Sequence, residues 1–69
     1  MITLDQLYHG AKFITQVGSV YILNRLPESK EWILIRSSDG ITWTKASSKN
    51  PIDAFYGCED AFTYLPSIP

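Results

Sequence analysis

The run Glu31-Trp32-Ile33-Leu34-Ile35-Arg36, then Ser37-Ser38-Asp39-Gly40, then Ile41-Thr42-Trp43-Thr44-Lys45 decides the fold class. Trp32 to Ile35 is an apolar run matched in length by Val20 to Leu23 and exceeded by none, far short of the roughly 20 residues a membrane helix needs. It is rich in aromatic and β-branched side chains, which favour a strand. Asp39-Gly40 marks a hairpin. A two-residue turn would set Arg36 against Trp43 and Ile35 against Thr44, which divides the apolar residues between the faces. A three-residue loop, Ser38-Asp39-Gly40, with Gly40 at positive φ, sets Ile35 against Trp43 and Arg36 against Thr42. Apolar sorting fixes register, so the three-residue loop is the expected one.

Working outward, Lys12-Phe13-Ile14-Thr15 and Val20-Tyr21-Ile22-Leu23-Asn24-Arg25 read as strands joined by a turn at Gly18. Ala61-Phe62-Thr63-Tyr64-Leu65 reads as a last strand, stopped by Pro66. Thr3-Leu4-Asp5-Gln6 fits a capping box opening a short helix that ends at Gly10. Asn50-Pro51 places an N-cap before a residue favoured at the first helical position, opening a second short helix over 52–56. The same parity sets Ile22 opposite Ile35 and Phe13 opposite Ile22. The expected inner face holds Phe13, Val20, Ile22, Ile33, Ile35, Ile41 and Trp43. The expected outer face holds Ile14, Tyr21, Leu23, Arg25, Trp32, Leu34, Arg36, Thr42 and Thr44. This pattern predicts an all-β fold of small helical content, a strongly bent five-stranded β-barrel over residues 1–69. In arrangement it resembles an SH3-like barrel, which implies a fold and no particular function. A flat three- or four-stranded meander carrying both short helices on one face is the second expectation.

Sixty-nine residues allow one small domain, which buries only about 60% of the surface its unfolded chain exposes. The single Cys58 offers no internal disulfide, so the core relies on large side chains. Aromatic residues at 13% meet that need. The first residues lack a basic segment followed by an apolar one, so no signal peptide is expected. A cytoplasmic protein is expected, and a module beginning at Met1 suggests a bacterial or phage accessory protein.

Chemistry finds little to work with. His9 reads as a residue completing a helix end, with no neighbouring acid or thiol to make it a base or a metal ligand. Cys58 precedes Glu59 and Asp60, whose charges disfavour a thiolate nucleophile. The four glycines are too dispersed to cradle a phosphate. A barrel this small offers little cleft between paired carboxylates. Ser37-Ser38-Asp39-Gly40-Ile41-Thr42-Trp43 resembles an Asp-box hairpin of sialidase-like propellers, with one residue fewer between Asp and Gly. That resemblance implies a turn and no catalytic site. The expectation is a non-enzymatic protein with no cofactor and no metal.

Binding is the remaining class. All six basic side chains lie within residues 12–49, beside three acidic ones, whereas 50–69 holds three acidic and no basic residues. Tyr21, Arg25, Trp32, Leu34 and Arg36 share the expected outer face and have the composition of a protein interface. Tyr56 and Tyr64, beside the acidic end, form a second candidate surface for a basic partner, in the manner of small inhibitors. The expected partner is a protein, or a second copy of the chain. Single-stranded nucleic acid is the alternative, through aromatic stacking and arginine contacts, set against a pI near 5.6. A structural subunit of a larger complex is the second alternative.

Overall fold

The computed structural model describes residues 2–43 and 49–66. Four antiparallel strands, β1 (Lys12–Thr15), β2 (Val20–Arg25), β3 (Trp32–Arg36) and β4 (Phe62–Leu65), form one sheet in the order β3-β2-β1-β4. Three short 3-10 turns accompany them, at Leu4–Gln6, Pro51–Phe55 and Glu59–Ala61. The fold is therefore all-β with little helix. The sheet is open: β4 pairs only with β1, and no pairing among the described residues joins it to the far side. Of the expected fifth strand, Thr42 forms a single bridge with Ile35, while Thr44 and Lys45 lie outside the described residues.

The caps form where the local sequence placed them. Gln6 accepts a hydrogen bond from the Thr3 amide at 3.1 Å. Asn50 accepts from the Ile52 amide, Pro51 opens the turn, and Tyr56 and Gly57 end it in the left-handed region.

The faces differ from expectation. The β2–β3 register is the expected one, with Ile22 opposite Ile35. Phe13, however, stands opposite Tyr21 rather than Ile22. The hairpin after β3 has four loop residues, 37–40, so Ile35 meets Thr42 rather than Trp43. The cause lies in the loop itself. Arg36 donates from Nε and Nη2 to the Asp39 carboxylate at 3.0 and 2.6 Å, and Asp39 accepts the Ile41 amide at 3.1 Å. The Arg36 amide then donates to the Ile41 carbonyl, and Gly40, at φ +75°, closes the loop onto the Arg36 carbonyl. One loop residue more than expected inverts side-chain parity along the return segment.

The β2 and β3 side chains in the core are thus those expected to face outward, while Phe13 is buried as expected. Phe13, Tyr21, Leu23 and Leu34 are buried against Ala54, Phe55 and Phe62. Edge-to-face ring contacts link Phe13 to Phe55, Phe55 to Phe62, and Phe62 to Tyr21, with centroids 5.0–5.4 Å apart. The Pro51–Phe55 turn supplies the second layer, chiefly against β3. Val20, Ile22, Ile33 and Ile35 point the other way and are only half-buried. Ile41 is exposed, and Trp43 joins the core side instead.

Candidate functional site

The five residues expected on one binding face do share a face, but it is the core face. Leu34 is wholly buried beneath the Pro51–Phe55 layer and has no surface to offer. Tyr21 is 7% exposed. Trp32 is half-buried against the core, and Arg25 is exposed beside it as its cross-strand partner. Arg36 stands opposite Tyr21 at the other end of the strands, about 13 Å away. The candidate patch is thus split, with the buried Leu23–Leu34 pair between its two ends.

Tyr64 and Tyr56 are placed differently. The Tyr64 hydroxyl is hydrogen-bonded to Tyr8 at 2.6 Å, and its ring packs on Phe13. This bond to Tyr8 raises the Tyr64 phenol above its ordinary pKa. Tyr56 protrudes, 78% exposed, at the end of its turn. His9 holds the chain start in place: its Nδ1 accepts the Arg25 amide at 3.0 Å. Cys58 is exposed. Among the described residues, no three His, Cys, Asp or Glu side chains gather to hold a metal ion. Likewise, no helix among them is long and apolar enough to cross a membrane.

What the fold does assemble is a groove of about 390 Å³ at the Tyr21–Arg36 end. Its walls are the β1–β2 turn (Thr15, Gln16, Val17 and Ser19), Trp43 and Ala61. That volume falls within the range of clefts that take small ligands or partner side chains. The turn is built by the Thr15 amide donating to the Ser19 carbonyl and the Ser19 amide to the Thr15 hydroxyl. This leaves Val17 at the tip, 88% exposed. Trp43 is fixed by its indole N–H, which donates to the Phe55 carbonyl at 3.2 Å, and by edge contacts to Tyr21 and Phe62. It still leaves 39% of its surface open.

Arg36 is the charged member. The Asp39 hydrogen bond and charge raise its pKa further, while Arg36 and the Ile41 amide lower that of Asp39. A guanidinium has five N–H groups, and Asp39 engages only its Nε and Nη2. The groove therefore combines an aromatic wall, an apolar tip, three hydroxyls and a charged donor. Sequence reasoning missed Val17 and Trp43 as site residues. Val17 had a signal: an apolar side chain at the tip of a Gln-Val-Gly turn, where polar residues are the rule. Trp43 was hidden by the hairpin parity.

No protein-family model matches the chain, and neither the curated proteins nor the solved structures include a match to it.

Proposed function

We propose that the chain is a small non-enzymatic binding module whose Tyr21–Arg36–Trp43 groove receives a segment of a protein partner. The observation that carries the reading is the pairing of exposed Val17 and Trp43 across a cleft that Arg36 also lines. An apolar side chain of the partner would enter between Val17 and Trp43. A main-chain carbonyl beside it would accept from Arg36. Trp, Tyr and Arg are the residues from which interface hot spots are drawn. The ion pair with Asp39 compensates the charge of Arg36, the one cation among the described groove residues, which favours a protein segment over a phosphate chain.

The SH3-like arrangement belongs to the same proposal. Two features support it: a segment bridged at Thr42 follows β3, and the Pro51–Phe55 turn precedes β4. A bacterial or phage accessory or inhibitory role in the cytoplasm is the setting we propose for it.

The test is comparative affinity capture from the native host, read by mass spectrometry, with the wild-type chain and Val17→Asp. Val17 is exposed, so the variant keeps the fold. A partner held by the wild type and lost by the variant supports the groove. A partner held equally by both refutes it. Binding of labelled oligonucleotide at low salt, lost at high salt, would replace this reading with the nucleic-acid one.

A further inference from the structure

The sheet has a second face that no described element covers. By alternation from the buried positions, it carries Lys12, Ile14, Val20, Ile22, Asn24, Ile33, Ile35, Thr63 and Leu65. The aliphatic members are half-buried by one another or exposed, and none packs on the core. Register arranges them in a definite pattern. Ile33, Ile22 and Ile14 lie on a diagonal across β3, β2 and β1, because Ile33 pairs with Asn24, Ile22 with both Ile35 and Lys12, and Ile14 with Val20. Diagonal neighbours stand about 8 Å apart, so this ridge is about 17 Å long. One flank of the ridge is apolar, Ile35 and Val20. The other is polar, Asn24 and the cation Lys12.

We infer that this face docks an amphipathic helix of another protein, laid along the diagonal, with a carboxylate on the flank that meets Lys12. The length fits: about 11 helical residues span 17 Å. A helical layer is also how a sheet with one covered face buries the other, and this chain's own turns are too short to supply it. Charge selects against a second copy. An isologous contact presents the same patch twice, so it brings two Lys12 cations to one apolar interface with no acid inside the patch to answer them. A helix bearing Glu or Asp on that flank supplies the answer. The site is separate from the groove, and either can fail alone.

The probe is a stapled helical peptide of about 14 residues with a leucine stripe at i, i+4, i+7 and i+11, made with Glu or with Lys on one flank. The full chain, labelled at isoleucine δ1 methyls and backbone amides, is titrated with each. The expected result is methyl shifts at Ile14, Ile22, Ile33 and Ile35, with the Glu peptide binding about three- to fivefold tighter than the Lys peptide. Lys12→Glu reverses that ranking without altering the fold, since Lys12 is exposed. No methyl shift at millimolar peptide overturns the inference, as do shifts confined to Tyr21 and Trp43, or equal affinity for both peptides. Sedimentation showing a dimer of the chain alone, with the same methyls shifting on dilution, assigns the face to a second copy and also overturns it.

Discussion

Replacing Trp43 tests whether the groove wall is built as the structure shows. Two contributions separate in two variants. Trp43→Phe removes the indole N–H that donates to the Phe55 carbonyl. A hydrogen bond of this kind is worth about 0.5–1.5 kcal/mol. The Phe55 carbonyl also accepts the Cys58 amide at 2.9 Å, so it keeps a partner and the loss stays near the low end, about 1 kcal/mol with the smaller ring included. Trp43→Ala removes in addition the edge contacts to Tyr21 and Phe62, at 5.8 and 5.4 Å. Full burial would make that about 3–5 kcal/mol, and partial exposure reduces it to about 2–3 kcal/mol. A domain of this size has about 3–10 kcal/mol in all, so Trp43→Ala remains folded only narrowly. Urea denaturation followed by circular dichroism reads both values, and Trp43→Phe should lower the melting temperature by about 4–8 °C. If Trp43→Ala costs less than about 0.5 kcal/mol, the indole does not pack on Phe62, and the groove loses its wall.

The face assignment has its own test: Leu34→Asn places an amide in the wholly buried site and should leave the chain unfolded, whereas Ile35→Asn, one residue on, should change stability by under about 1 kcal/mol, both read by circular dichroism. The fold lowers the Asp39 pKa, so this pair contributes stability that is complete above the unfolded carboxylate value and is lost as pH falls through the folded one. An acid titration of the Ile41 amide shift should follow that loss, and Asp39→Asn should abolish it. Tyr64 is raised instead, so its contribution is complete below its unfolded value and is lost as pH climbs through the folded one. Tyr8→Phe should remove the alkaline part of the stability profile.

Local signals carried most of the fold. Four of the five expected strands, both caps and the turn glycines each rest on a few adjacent residues and formed where those residues stand, whereas the fifth is a single bridge at Thr42 among the described residues. The β2–β3 register was also legible, because Ile22 against Ile35 follows from the apolar run alone. Parity around the turns was not. The hairpin loop is set by Arg36 clasping Asp39, a contact that spans the loop and gives no periodic signal. Sequence patterning decides between faces only when one is polar. Here both are apolar: Tyr21, Leu23, Trp32 and Leu34 alternate with Val20, Ile22, Ile33 and Ile35. Grouping within β2 and β3 was therefore recoverable, and the side was not.

What chose the side is the chain after residue 50. Phe55 and Phe62 arrive as flat rings, and edge-to-face packing rewards aromatic neighbours over aliphatic ones. The face holding Phe13, Tyr21 and Trp43 supplies those neighbours, whereas the isoleucine face has no ring to offer. Once the aromatic face is taken, the β-branched face must remain outside, since the described chain has only one covering layer. The surplus of apolar residues over what one small core needs is thus aliphatic, with Lys12 set into it. A charge within an apolar sheet face opposes indiscriminate stacking of sheets and admits a partner that answers it. The binding proposed at the groove rests on rings, and that proposed at the open face on isoleucines and one lysine. Variants at Val17 and Lys12 therefore separate the two surfaces without touching the core they share.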